Sequence, residues 1–277
     1  DTSGQGNNGS LIHAGSGTTT VPGKLGQALS FDGTDDWVNA GSGASLDNLG
    51  TMTLSLWAKA NGYGEGAQGR FVNKAFSCCS IENGWMFQAG GGSTMGVWFT
   101  VDYDGAADLS VVYGDTLLST DLGKWIHWVV TWDGTANASG VQVYKNGSAV
   151  TATSQTNGVG SRVSDSAQNL FIGNDPSGSG LRTFDGSLDD LRIYSRALSA
   201  AEVLRLYNLP APLERKVLDL FGGIRRRGVP FEQTEYFPKG FSDLERLSDL
   251  LAITADWPKT NRRRAKLIDL EEAGQLT

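Results

Sequence analysis

Between Ala28 and Tyr194 the apolar and aromatic residues of this chain fall into eleven short runs, the longest of which, Trp125–Trp132, has eight residues. Gly, Asn, Asp and Ser separate them, the residues whose backbone and side chains favour turns. Runs this short are strand-sized rather than helix-sized, and many of them with turn chemistry between predict an all-β antiparallel sandwich or barrel. The runs cover 28–31, 37–40, 52–58, 71–74, 84–88, 96–101, 109–113, 125–132, 140–145, 170–172 and 188–194.

Two of them carry further information. Asn146-Gly147 sits between Val141–Lys145 and Ser148–Val150 and can take the positive φ angles of a type I′ turn, so a hairpin is expected there. Trp125–Trp132 is apolar on both alternating faces, which suits a central strand buried on both sides.

The last run leads from Phe184 through Asp189-Asp190 into Ser199-Ala200-Ala201-Glu202. If Leu191 and Ile193 face the core, period-two alternation puts Asp189 on that same side, where an ionised carboxylate is costly without compensation. A bound cation, an Arg or backbone N–H groups would each supply it. Ser199 and Glu202 have the spacing of a capping box, and Val203, Leu206 and Tyr207 form one apolar stripe before Pro210. A helix closing one edge of the sandwich is expected.

Near Leu209–Pro212 the composition changes: residues 1–211 hold three glutamates, Glu65, Glu82 and Glu202, whereas the remainder is rich in Leu, Arg and Glu. Two domains are expected, 1–209 as the β-sandwich and 210–277 as a small α-helical C-terminal region. Ser242-Asp243-Leu244-Glu245 has the form of a second capping box, with Leu244, Leu247 and Leu251 as its stripe. About 65 residues bury only a small core alone, so this region is expected to dock on the body or another chain.

Charge excludes some functions. Residues 1–211 carry 11 Lys and Arg against 19 Asp and Glu, and the remainder 12 against 11. The body is thus unsuited to nucleic acid or anionic membranes, and the triplets Arg225–Arg227 and Arg262–Arg264 are balanced by acids, which removes the field that nucleic-acid binding uses. No apolar run approaches the roughly 20 residues that span a bilayer, so no membrane insertion is expected. The first residue is Asp, which fits a trimmed, exported chain at the cell surface or outside the cell. Cys78 and Cys79 are adjacent and cannot staple distant segments; a vicinal disulfide and two thiols both stay open.

No catalytic constellation emerges. Glycosidase chemistry needs two carboxylates facing one bond, and the three glutamates of the body are isolated; Asp102 and Asp104 share a strand parity, but Gly105 beside them marks a turn. His13 lies in a Gly/Ser-rich segment and His127 inside the aromatic strand, where a packed core residue is the simpler reading than a base. Sugar binding needs an aromatic plane for the C–H face of the ring and polar groups for its hydroxyls, and Tyr63, Arg70, Trp85, Trp98, Tyr103 and Tyr113 are the candidate contacts.

The segments Asp1–Gly9, Gly23–Gly33, Met52–Trp57, Lys124–Gly134, Tyr144–Gly147, Leu170–Gly173 and the Asp189-Asp190 run, in this order and spacing, resemble a laminin-G-like jelly-roll domain of the concanavalin A-like lectin/glucanase type over residues 1 to about 209. The resemblance implies two packed antiparallel sheets and a calcium ion (Ca2+) where the N-terminal segment meets the last strand, with Asp1, Asn7, Asp32 and Asp189 as candidate ligands. The alternative for these acids is that Asp32 and Asp35 shape the turn after Phe31 and Asp189 caps a backbone amide. The expected function is a non-catalytic, extracellular binding module of bacterial type that recognises carbohydrate, with calcium as a structural ion. The alternative is an adhesive module that assembles with a protein partner or with itself through 212–277, and a polysaccharide-active enzyme stands third.

Overall fold

The structure, a computed structural model, describes residues 1–12, 19–76, 82–90, 96–114, 116–117, 119–175 and 182–209. The expectations for His13, Cys78, Cys79 and the helical region 210–277 with its Arg triplets lie outside the described residues. Among the described residues the chain forms β1 (Ser10–Ile12), β2 (Thr19–Pro22), β3 (Gln27–Asp32), β4 (Trp37–Asn39), β5 (Met52–Ala60), β6 (Arg70–Phe76), β7 (Glu82–Ala89) and β8 (Val97–Val101). It continues through β9 (Leu109–Tyr113), β10 (Trp125–Trp132), β11 (Val141–Lys145), β12 (Ser148–Ala149), β13 (Ser154–Thr156), β14 (Phe171–Ile172), β15 (Asp185–Tyr194) and the helix α1 (Ala200–Tyr207).

Two antiparallel sheets result. One has the order β1-β4-β14-β6-β7-β8-β9-β13, the other β12-β11-β10-β5-β15-β3-β2. Strand alternation places their inner faces in a common core: Phe87, Phe99, Val101 and Val111 from the eight-stranded sheet, with Leu54, Leu56, Trp128, Trp132 and Val143 from the seven-stranded one. This is the expected two-sheet jelly-roll sandwich. β10 lies between β5 and β11 and is buried on both faces, as its sequence requires.

The Asn146-Gly147 hairpin forms as expected, with φ of 51° and 80° and Lys145 opposite Ser148. The four strands beyond the eleven runs are β1, β2, β12 and β13, which are the outermost strands of the two sheets. Their residues are short and largely exposed, so they carry little apolar signal, and the proline of β2 is tolerated because an edge strand can forgo a ladder donor.

Two expectations about the last strand need correction. Asp190 adopts φ 49°, and a bulge between Asp189 and Arg192 inserts an extra residue into β15. Parity therefore flips across the bulge. Leu188 and Ile193 both pack towards the core, while Asp189, paired with Trp57, lies on the outer face of the seven-stranded sheet. The helix after it covers that outer face rather than an edge: Val203 packs with Val129, Tyr144 and Leu198, and Tyr207 stacks on Trp57 at 5.6 Å between centroids. Its capping box is complete, Glu202 N donating to Ser199 Oγ and Ser199 N donating to Glu202 Oε2.

Candidate functional site

α1 packs over the outer face of the seven-stranded sheet, and the eight-stranded sheet has an outer face of its own. Register defines a row across it. Arg70 of β6 pairs with Gln88 of β7, Gln88 with Trp98 of β8, and Trp98 with Val112 of β9. Directly paired residues share a face, and their neighbours Phe87, Phe99 and Val111 point into the core, so these four point away from it.

Arg70 and Gln88 are nevertheless 4% and 1% exposed. Their polar atoms are poorly served: Arg70 Nε and Nη1, and both Nε2 and Oε1 of Gln88, have no hydrogen-bond partner. Trp98 beside them is half-buried, and its indole N–H is also without one. Each unpaired buried group of this kind costs about 1–3 kcal/mol.

The rim at the Arg70 end is built from three segments. Arg70 N donates to Arg182 O and Glu65 N to Thr183 O, both at 2.9 Å, while Asn174 Nδ2 donates to Thr183 Oγ1 at 2.7 Å. Burial lowers the pKa of the Arg70 guanidinium to about 10; the nearby Asp175 acts against this and Arg182 adds to it. It stays cationic at neutral pH. Burial likewise raises the Glu65 carboxyl above its ordinary value, partly offset by hydrogen bonds with Thr183.

Of the six expected sugar contacts, the structure brings Arg70 and Trp98 into this row. Tyr63 is half-buried against the core in the segment leading to Glu65. Trp85, Tyr103 and Tyr113 are corrections: they are 0%, 6% and 1% exposed and belong to the core. Trp85 shares the inward parity of Phe87, and the Tyr113 hydroxyl, which donates to Val141 O and accepts from Val143 N, ties one sheet to the other. Gln88, Glu65, Asp175 and Arg182 were not singled out from sequence. For Gln88 a signal existed: Trp85 and Phe87 facing inward force it outward beside Trp98.

The calcium quartet expected from the resemblance is not assembled. Asp1 closes its own turn, accepting from Ser3 N, Ser3 Oγ and Asn7 N, and Asn7 Nδ2 donates to Ser45 Oγ. Asp189 Oδ2 accepts from Leu25 N at 2.7 Å, with Gly23 packed so closely that a Cβ there would fall 2.5 Å away. The N–H compensation considered for Asp189 is therefore present. Asp32 stands opposite Asp185, four residues along β15 from Asp189. The donors near Asp189 thus do not fit a cation shared with Asp32, because the strand register holds the two apart.

Two antiparallel sheets packed face to face, with a helix over one outer face, define a jelly-roll sandwich. The chain belongs to the Concanavalin A-like lectin/glucanases superfamily, whose Laminin_G_3 model matches residues 32–204. No curated protein matches it in sequence. Among solved structures it is similar to the binding domain of botulinum neurotoxin serotype G, with 17% identity over 75% of this chain and 47% of that one and a TM-score of 0.52. It is also similar to the binding domain of Paraclostridial Mosquitocidal Protein 1, with 19% identity over 73% and 48% and a TM-score of 0.50. A third is domain 4 of the extracellular arabinanase AbnA from Geobacillus stearothermophilus in complex with arabinotriose, with 20% identity over 72% and 88% and a TM-score of 0.48. The chain spans about half the length of the two toxin domains. No helix among the described residues is long and apolar enough to cross a membrane.

Proposed function

We propose that this chain is a non-catalytic, extracellular binding module that recognises carbohydrate on the outer face of its eight-stranded sheet. One observation carries the reading: Arg70 and Gln88 present buried, unpartnered donors and an acceptor in register with a half-buried tryptophan. A pyranose or furanose ring offers the complement, a C–H face for the Trp98 indole and hydroxyls that both donate and accept. Gln88 supplies one group of each kind, and Arg70 supplies donors only, so the row selects a sugar edge with at least two adjacent hydroxyls.

The test is retention of the full chain on a polysaccharide panel by affinity-gel electrophoresis and a glycan array, with Trp98→Ala and Gln88→Leu alongside. Binding should weaken at least about tenfold in each variant, the equivalent of one lost net contact, while thermal melting shows the fold intact. Retention by folded variants at the wild-type level would remove the site.

A further inference from the structure

We infer that the outer face of the seven-stranded sheet carries an organic-cation site, built on Trp57 and Asp189 and filled by the chain's own Lys24, whose ligand class is a quaternary ammonium such as choline. The carbohydrate row lies on the other sheet, and the two sites do not depend on each other. Lys24 Nζ stands over the Trp57 ring, 4.9 Å from its centroid. That is inside the distance of about 6 Å over which the negative face of an indole attracts a cation. Tyr207 of α1 stacks on the same ring at 5.6 Å, and His127 of β10 tilts against it at 5.0 Å. Three elements thus build the aromatic walls around one cation.

A carboxylate completes the site. Asp189 is directly paired with Trp57 across the β5–β15 ladder, so the two side chains stand side by side on the outer face, with Cβ atoms about 4.5–5.5 Å apart. Among the described residues no salt bridge joins Asp189 or Lys24 to any partner. Arg192, the cation of the same strand, is instead held by Asp190 through Nε at 3.0 Å and Nη2 at 2.9 Å. Burial lowers the pKa of His127 to about 4, so at neutral pH the walls add no competing positive charge. An aromatic face beside a carboxylate that lacks a counter-ion attracts a bulky cation that has no N–H to satisfy.

Lys24 fills the site without being fixed in it. It is exposed in the loop between β2 and β3, and the backbone of that loop is set independently of the lysine side chain. Gly23 N donates to Gly26 O at 2.9 Å, Gly26 takes φ 98°, and Leu25 N donates to Asp189 Oδ2 at 2.7 Å. Rotation about the side-chain bonds of Lys24 therefore returns its ammonium to water and uncovers the ring, with the backbone unchanged. A primary ammonium is strongly hydrated and gains by that return. A quaternary ammonium holds water less tightly and lays its methyl groups on the indole, so it can take the place of the lysine.

The experiment titrates the full chain with choline chloride and reads the heat of binding and the line width of the choline methyl protons, with thermal melting to confirm that each variant is folded. Choline should bind the wild type with a Kd of about 1–10 mM, the scale on which a tethered lysine competes. Lys24→Ser removes that internal competitor and should tighten binding about tenfold. Asp189→Asn keeps an oxygen for Leu25 N but loses the charge, and should weaken binding about tenfold. The neutral isostere of choline, with a tert-butyl group in place of the trimethylammonium, should bind at least about tenfold more weakly than choline. Co-sedimentation of the wild type with phosphatidylcholine vesicles assigns the ammonium to a lipid headgroup, and choline binding without it assigns a soluble cation; both support the site. Folded Lys24→Ser that binds no choline overturns it, as does equal affinity for the isostere. Binding confined to Lys24→Ser overturns the exchange, since Lys24 would then be a fixed part of the fold.

Discussion

Acidification should destabilise the sandwich through one buried histidine. His127 sits on the outer face of the seven-stranded sheet, 1% exposed, between Trp57 at 5.0 Å and Tyr207 at 6.0 Å from its ring centre. Its Nε2 shares a 3.0 Å hydrogen bond with Ser55 Oγ, and its Nδ1 has no partner. Burial lowers its pKa from 6.5 to about 4, and Arg192 adds to the effect. The folded protein therefore binds fewer protons than the unfolded chain between those values, so stability is full above 6.5 and is lost as pH falls through the window towards 4. About 2.5 units at 1.36 kcal/mol each caps the loss at about 3 kcal/mol, and about 2 kcal/mol of it is gone by pH 5. Carboxylates also titrate in this range, so the assay compares urea unfolding of the wild type and His127→Gln at pH 7, 6, 5 and 4.5. Gln keeps a hydrogen-bonding group for Ser55 but cannot titrate, and its packing defect is the same at every pH. The free-energy gap between the two proteins should narrow by about 2 kcal/mol from pH 7 to pH 5. Parallel curves would refute the reasoning, since His127 would then not be held neutral by the fold.

Three further outcomes follow from the geometry. Lys74 is fully buried, bonds to Asp47 Oδ1 at 3.0 Å and donates to the carbonyls of Asp165 and Gln168, so Lys74→Ala should cost about 3–5 kcal/mol in urea unfolding. Gly147→Ala forces an L-residue to φ 80° and brings its methyl within 3.0 Å of Leu204, so it should lose about 1–2 kcal/mol and loosen α1 in hydrogen exchange. Ser199→Ala removes the oxygen that caps Glu202 N and should lower stability by about 1 kcal/mol, with Tm falling by about 2–4 °C.

Where burial and period-two alternation act together, the fold was legible in the chain. All eleven apolar runs are strands, because a strand with one face in the core must repeat its apolar residues at every second position, as β8 and β9 do. Of the edge strands, β12 was signalled only by the Asn146-Gly147 turn, and β1, β2 and β13 escaped because they are short and largely exposed. Asp189 was misplaced for a different reason: a single left-handed residue, Asp190, shifts parity by one, and Asp tolerates that conformation without leaving any mark in the pattern.

The site was legible only in part. Arg70 and Trp98 stood out by residue type, but so did Trp85 and Tyr113, and an aromatic strand residue looks the same whether it faces the core or away from it. Only register separates them, since it ties Trp98 to Gln88 and Arg70 and ties Trp85 to Val101 and Leu109. Likewise the sequence leaves Asp32 open between a calcium ligand and, with Asp35, a turn residue, and the buried, half-paired state of Asp36 depends on tertiary packing that no local pattern records.

A crystal structure of the full chain soaked with the oligosaccharide best retained in the array puts the central claim to its most direct test. A sugar ring stacked on Trp98, with hydroxyls hydrogen-bonded to the Arg70 guanidinium and the Gln88 amide, is the predicted result. A sugar seated elsewhere, with Arg70 and Gln88 bonded only to water, would contradict it.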